Sequence, residues 1–140
     1  MRKIKRWRYY CDFCNKAGGS AGYMKRHEES CTMNPDRKCQ MCGYADSMWP
    51  DLDELKKIIT NSVRTIGRGH YTSNEFIAPE TEKSVMDRLS FKTECPACLL
   101  AAMRQTDTTY LFQDFDFKSM REEIWKEHNE KAVRESYGYY

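Results

Sequence analysis

The chain has 140 residues, of which 40% are hydrophobic and 31% charged, and its formal net charge is +2. That length allows one ordinary domain, or a very small module joined to a modest one, and the composition excludes a disordered tail. No apolar run approaches the roughly 20 residues a membrane span needs, and "MRKIKRWRYYC" has basic residues with no apolar stretch behind them, so no membrane is expected and the expected setting is cytoplasmic and reducing.

The small net charge hides an asymmetry. Residues 1–45 hold 10 Lys/Arg against 4 Asp/Glu, and residues 46–140 hold 13 against 17. A basic front suits a polyanionic partner. Within it, "RKIKRWRYY" sets Arg2, Lys3, Lys5, Arg6 and Arg8 beside Trp7, Tyr9 and Tyr10, an interleaving that suits phosphate contact plus base stacking. The plainer reading is a solvated arm whose aromatics pack on the next module.

Six of the seven cysteines form three pairs separated by two residues: Cys11 and Cys14, Cys39 and Cys42, Cys95 and Cys98. The seventh, Cys31, has His27 four positions before it. Two tetrahedral zinc sites require eight donors, and these eight residues supply them with nothing left over. A disulfide framework would leave one thiol unpaired, and a thioredoxin-like redox pair would need a βαβ frame that the sequence does not show. Two zinc ions on seven thiolates add a charge of about −3, which brings the chain close to neutrality, so its net charge is no argument for a nucleic-acid partner.

In chain order, the first module reads C-x2-C-x12-H-x3-C. The cysteine pair sits on a tight turn, while His27 and Cys31, four apart, share one face of a helix that Ser20 caps after the turn residues Gly18 and Gly19. With Tyr9 two residues before Cys11, this pattern resembles the classical zinc finger in its variant with a final cysteine ligand. The resemblance implies a ββα module with Met24 in place of the core leucine. Gly18 stands where that family has a core phenylalanine, so Phe13, Tyr10 or Tyr23 must fill the space. The implied outward positions are Ser20, Gly22, Tyr23 and Arg26, with Lys25 for phosphate. Of these only Arg26 is a typical base-reading residue, and a single finger reads about three base pairs, so the arm would have to assist.

After Cys31, Thr32 and Pro35 echo the same family's linker, with Arg37 replacing its aromatic residue. The tandem pattern then fails, because Leu55 and Ile59 lie where a second finger would have its histidines. "CQMCGYAD" is similar to a zinc knuckle, and "ECPACLLAAMRQ" resembles the cysteine pair that opens a helix in treble-clef zinc domains. Pro96 is tolerated at such a start, and a helix N-terminus favours thiolates. The second site is therefore expected from Cys39, Cys42, Cys95 and Cys98. A cross-braced set joining Cys11 and Cys14 to Cys39 and Cys42 is also compatible with the order of pairs, and the local spacing of His27 and Cys31 speaks against it.

Between the second and third pairs, "DLDELKKIITNSVRTIG" predicts a helix. Asp51 and Glu54 form a capping-box-like start, Leu52, Leu55, Ile59, Val63 and Ile66 trace its stripe, and Gly67 ends it. "GRGHYTSNEFIAP" reads as a loop, and "PETEKSVMDRLSF" as a second helix with Val85, Met86 and Leu89 inward. "TDTTYLFQDFDF" reads as a short strand or extended segment. Asp116 then caps a helix to about Arg134, with Phe117, Met120, Ile124, His128 and Val133 on its apolar side and Trp125 widening it. That side is expected to pack onto the insertion helices, with a docking surface as the alternative. The tail "ESYGYY" could fit a partner groove.

The nearest enzymatic resemblance is to HNH-type nucleases, some of which frame their metal core with paired CxxC motifs. His70, with Asn74 four places later, is too thin a supply for water activation and a catalytic metal. The carboxylates Asp51, Asp53 and Glu54 do not form a recognisable catalytic pair. The expectation is a small zinc-stabilised α+β protein, mainly helical, with no catalytic residues. Residues 1–37 form a basic arm and ββα finger-like module, and 38–140 a treble-clef-like module with a helical insertion and a C-terminal helix. Its expected role is nucleic-acid binding, to DNA or RNA, as a regulator or accessory factor carrying two zinc ions. A protein-protein interaction module, such as a host-enzyme inhibitor or assembly component, is the alternative. The compact organisation also loosely resembles small phage-encoded zinc-finger proteins.

Overall fold

A computed structural model describes residues 1–44 and 49–137. Ala45 and Asp46 of the knuckle-like stretch and Gly138, Tyr139 and Tyr140 of the tail lie outside the described residues. The described part is mixed α+β and mainly helical, with five α-helices and two small antiparallel sheets.

Residues 1–8 belong to no regular element and are exposed. Strands β1 (Tyr9–Tyr10) and β2 (Ala17–Gly18) pair antiparallel, Tyr9 opposite Gly18, and lead into α1 (Ala21–Ser30). Ser20 caps α1 by accepting a hydrogen bond from the Tyr23 amide, which satisfies one of the free donors of the first turn. The turn between the strands depends on Asn15 at φ +60°, a left-handed conformation that asparagine tolerates better than most residues.

The second part is built around α4 (Pro96–Gln105), in which every residue from Pro96 to Met103 is buried. A helix covered on all sides is a core helix, and the apolar run Ala97-Cys98-Leu99-Leu100-Ala101-Ala102-Met103 makes that possible. Helix α2 (Leu52–Thr60) packs on α4 through the fully buried Leu55 and Ile59, and α3 (Glu82–Lys92) follows with Val85 and Leu89. Phe112 closes the core from a 3₁₀ turn at Thr109–Leu111, the segment expected to be extended. Cys42, Cys95 and Cys98 lie in the same buried cluster as these aliphatic side chains.

Three expectations need correction. The insertion helix stops at Thr60 and Asn61 rather than at Gly67, and the segment expected to be a loop is half of a hairpin: β3 (Val63–Arg68) pairs with β4 (Tyr71–Phe76), Val63 opposite Phe76. Val63, Thr65 and Ile66 are β-branched and prefer a strand, and Gly69 at φ +61° begins the two-residue turn in the way a type II′ hairpin requires. Gly67 is needed too, since a β-carbon there would sit 2.0 Å from the Tyr71 carbonyl oxygen. Second, the capping box at α2 does not form: Asp51 accepts from the Asp53 amide, and Glu54 faces Lys92 at 3.8 Å. Third, the apolar side expected along α5 (Phe117–Tyr137) is hardly covered: the helix buries none of its residues, packs on α4, and sets Phe117 and Met120 against the core. Asp116 does act at its start, accepting from the Ser119 amide.

The segment between the two cysteine clusters is tied down at both ends. Gln105, in the last turn of α4, donates to the carbonyls of Thr32 (2.8 Å) and Asn34 (3.0 Å), while Arg104 donates to the Thr32 hydroxyl. On the other side the Lys38 amide bonds the Glu29 carbonyl, and Arg37 bonds the Ser30 carbonyl. Among the described residues no helix is long and apolar enough to cross a membrane.

Candidate metal centres

The eight donors gather into two groups of four: Cys11, Cys14, His27 and Cys31 in one, and Cys39, Cys42, Cys95 and Cys98 in the other. Within each group the ligand atoms lie within 4.8 Å of one another. This is the sequential grouping; the cross-braced one does not occur.

In the first group, local structure does the positioning. The Cys11 amide bonds the Lys16 carbonyl and the Phe13 amide points at Cys11 Sγ (3.4 Å), so the cysteine pair sits in a turn whose N–H groups face sulfur. Helix α1 then brings His27 Nε2 to 3.2 Å from Cys14 Sγ. The Asp12 amide donates to Glu28, tying the turn to the helix. Met24 fills the small core with Cys11 and Cys31, in the place expected for it, and Met33 packs beside them. Gly18 leaves room that Tyr23 takes: a β-carbon on Gly18 would meet the Tyr23 ring at 3.2 Å. Tyr23 packs beside Gly18 and Ser20 caps α1 while both stay exposed, and Arg26 and Lys25 are the exposed cations of α1.

In the second group, Cys39 Sγ lies 3.5 Å from Cys95 Sγ and Cys42 Sγ lies 3.4 Å from Cys98 Sγ. Both distances far exceed a disulfide bond of about 2.0 Å, and all seven cysteines are free. Tetrahedral bonds of about 2.3 Å from zinc to sulfur place neighbouring sulfurs about 3.8 Å apart, so these two pairs need only spread by a few tenths of an ångström to form a four-thiolate site. Cys95 stands at the N-cap of α4 and Cys98 in its first turn, where the helix dipole favours negative charge. Arg37 points a guanidinium nitrogen at Cys98 Sγ (3.8 Å).

Protonation shows the same crowding. Hydrogen bonds from Cys95 and Cys98 hold the Cys39 thiol well below its ordinary range, whereas the hydrogen bonds to Cys39 raise Cys98 and Cys95, and burial pushes Cys42 up to about 12. In the first group burial favours the thiol at Cys14, but hydrogen bonds led by that from His27 bring it down to about 7, and burial pushes Cys31 up to about 11. A divalent cation removes the conflict in both groups by allowing every sulfur to be a thiolate. Each group can hold a metal ion, and two zinc ions are compatible with the pair.

Arg2, Lys3, Lys5, Arg6, Trp7 and Arg8 stand exposed on the arm, and no ion pair joins them, Lys25 or Arg26 to a described acidic residue. His70 sits exposed in the hairpin turn. Asn74 is structural: its amide donates to the Tyr110 hydroxyl and its side chain to the Asp107 carbonyl. His128 packs edge-on to Tyr44, 4.7 Å between ring centres. Sequence reasoning missed the Tyr44, Trp125 and His128 ring cluster, because Tyr44 lies about 80 residues from its partners and no spacing rule connects them. Comparison with protein-family models, curated proteins and solved structures gives no match.

Proposed function

We propose that this is a non-enzymatic, zinc-stabilised protein that binds nucleic acid as a regulator or accessory factor, with the first cluster in a finger-like module and the second in a treble-clef-like one. Soft sulfur donors dominate both clusters, and tetrahedral sets of four cysteines, or three with one histidine, suit zinc among the common metals. Four protein donors fill each tetrahedron and leave no open position for a substrate, so the metal's role is structural. Cys11, Cys14, His27 and Cys31 would hold one ion and Cys39, Cys42, Cys95 and Cys98 the other.

The observation that carries the nucleic-acid reading is the free cationic arm. Arg2, Lys3, Lys5, Arg6 and Arg8 project from the edge of the first module with no described acidic partner, and Lys25 and Arg26 are exposed on its helix. About five phosphate contacts should give a log-log salt slope of about −4. The test is binding of a labelled DNA or RNA across a salt series; absence of affinity at low salt rejects the reading. A protein-interaction role is favoured by one feature, the 21-residue α5 without a buried residue. It would be preferred if neutralising the arm left activity intact while substitutions on α5 abolished it.

A further inference from the structure

All three tryptophans lie on the surface: Trp7 is 83% exposed, Trp49 69% and Trp125 39%. Tryptophan is among the most buried residues on average, so a core made of Leu, Ile, Val, Met and Phe that leaves all three outside is unusual. Two of them, Trp49 and Trp125, line one cleft of about 750 Å³ together with Met41 and Tyr44, and Lys38 and Glu29 add one charge of each sign. That volume falls in the range of small-ligand sites. Tyr44 is already engaged by Trp125 (4.5 Å) and His128 (4.7 Å), so it braces Trp125 instead of offering a face of its own. Among the described residues Trp49 has no ring partner.

We propose that this cleft takes an unpaired nucleobase against Trp49 and Trp125, with Lys38 on its phosphate, so that the ligand is a single strand. The inference rests on the nucleic-acid reading above and narrows it. Indole faces accept any base by stacking, whereas the bases of a duplex have both faces covered by their neighbours and cannot enter. Charge agrees: Lys38 lines the cleft, and the basic arm supplies further phosphate contacts along the strand. Glu29 is placed to accept from an exocyclic amine, as carboxylates do from cytosine.

The test uses the full, metal-loaded chain with Trp7→Phe, so that fluorescence reports only Trp49 and Trp125. It is titrated at low salt with oligodeoxycytidine and, separately, with a duplex of equal length. The expected result is quenching by the single strand and little by the duplex. Trp49→Ala should weaken single-strand binding about tenfold, leave duplex binding unchanged, and be largely rescued by Trp49→Phe. Trp49 is chosen because it braces no other ring, and an unchanged melting temperature shows that the fold is intact. Equal binding of both forms with no effect of Trp49→Ala overturns the cleft and leaves the nucleic-acid reading standing. Binding of neither form sinks both.

Discussion

The two clusters use nearly the same donors in opposite structural roles. The first is closed by a chain segment of 21 residues, from Cys11 to Cys31, and its buried companion is Met24. The second joins segments more than 50 residues apart and is continuous with a core that includes Leu55, Ile59, Leu89, Leu99 and Met103. Loop closure explains the contrast. A short loop loses little entropy when its ends meet and can rely on the metal alone, while a long one needs both the metal and an apolar core to hold its ends together. On the proposed zinc reading, the first region would depend on its metal for most of its fold, while the second would share the work between its metal and the helical core that its cysteines join.

The largest way to break this comparison is to remove second-cluster donors. Cys95→Ser with Cys98→Ser should cost one metal ion per chain and the cooperative melt of the helical part, since structural zinc supplies on the order of 10 kcal/mol in small domains. Elemental analysis and thermal denaturation read the two effects. Retention of two ions per chain, or an unchanged melt, would contradict the assigned ligands. Next comes the core itself: Leu89→Ala, at a fully buried position, should destabilise the second region by about 2–5 kcal/mol. Its metal content and that of the first cluster should stay unchanged, which separates apolar from metal contributions.

Acid and base should act oppositely on the loaded and metal-free chains. Burial raises Cys31 to about 11 and Cys42 to about 12 from 9.0. The buried thiol form therefore stabilises the metal-free fold below pH 9, and that contribution is lost as pH rises through 11 to 12. Ligation needs thiolates, so the loaded chain instead loses metal as pH falls. Melting curves of both forms over this range, with released metal measured at the acid end, check the two signs. The smallest effect belongs to the connection between the regions. Arg37→Ala removes bonds to the Ser30 carbonyl and to Cys98 Sγ; at this half-buried site the loss should be about 1 kcal/mol, read as earlier metal release from the second cluster during a chelator titration.

What the sequence makes legible follows from how locally each feature is encoded. The eight donors are visible because ligation imposes short, fixed spacings, and the start of α4 is visible because Pro96 and the cysteine pair mark a helix N-terminus. Leu55, Ile59, Val85 and Leu89 are readable as core positions because their helices are amphipathic. The hairpin is harder to see, since Val63 and Ile66 continue the 3-4 spacing of Leu52, Leu55 and Ile59. In a strand, residues three apart fall on opposite faces, so that continuation is accidental. The better signals are the β-branched run Val63, Thr65 and Ile66 and the glycines at 67 and 69. The exposed length of α5 cannot be read from its own residues, because what covers a helix depends on elements far away in the chain. Past Met120 its ring contacts are with Tyr44, from the knuckle turn.

The pinned segment from Thr32 to Lys38 has a mechanical consequence. It is held by Gln105 and Arg104 on one side and by Glu29 and Ser30 on the other, so it joins the two clusters through bonds at both of its ends. Movement of the first module against the second then requires several of these bonds to break together. On the proposed single-strand reading, a strand reaching from the arm to the cleft would have to bend without help from this segment, so its contour length and suppleness would matter as well as its chemistry.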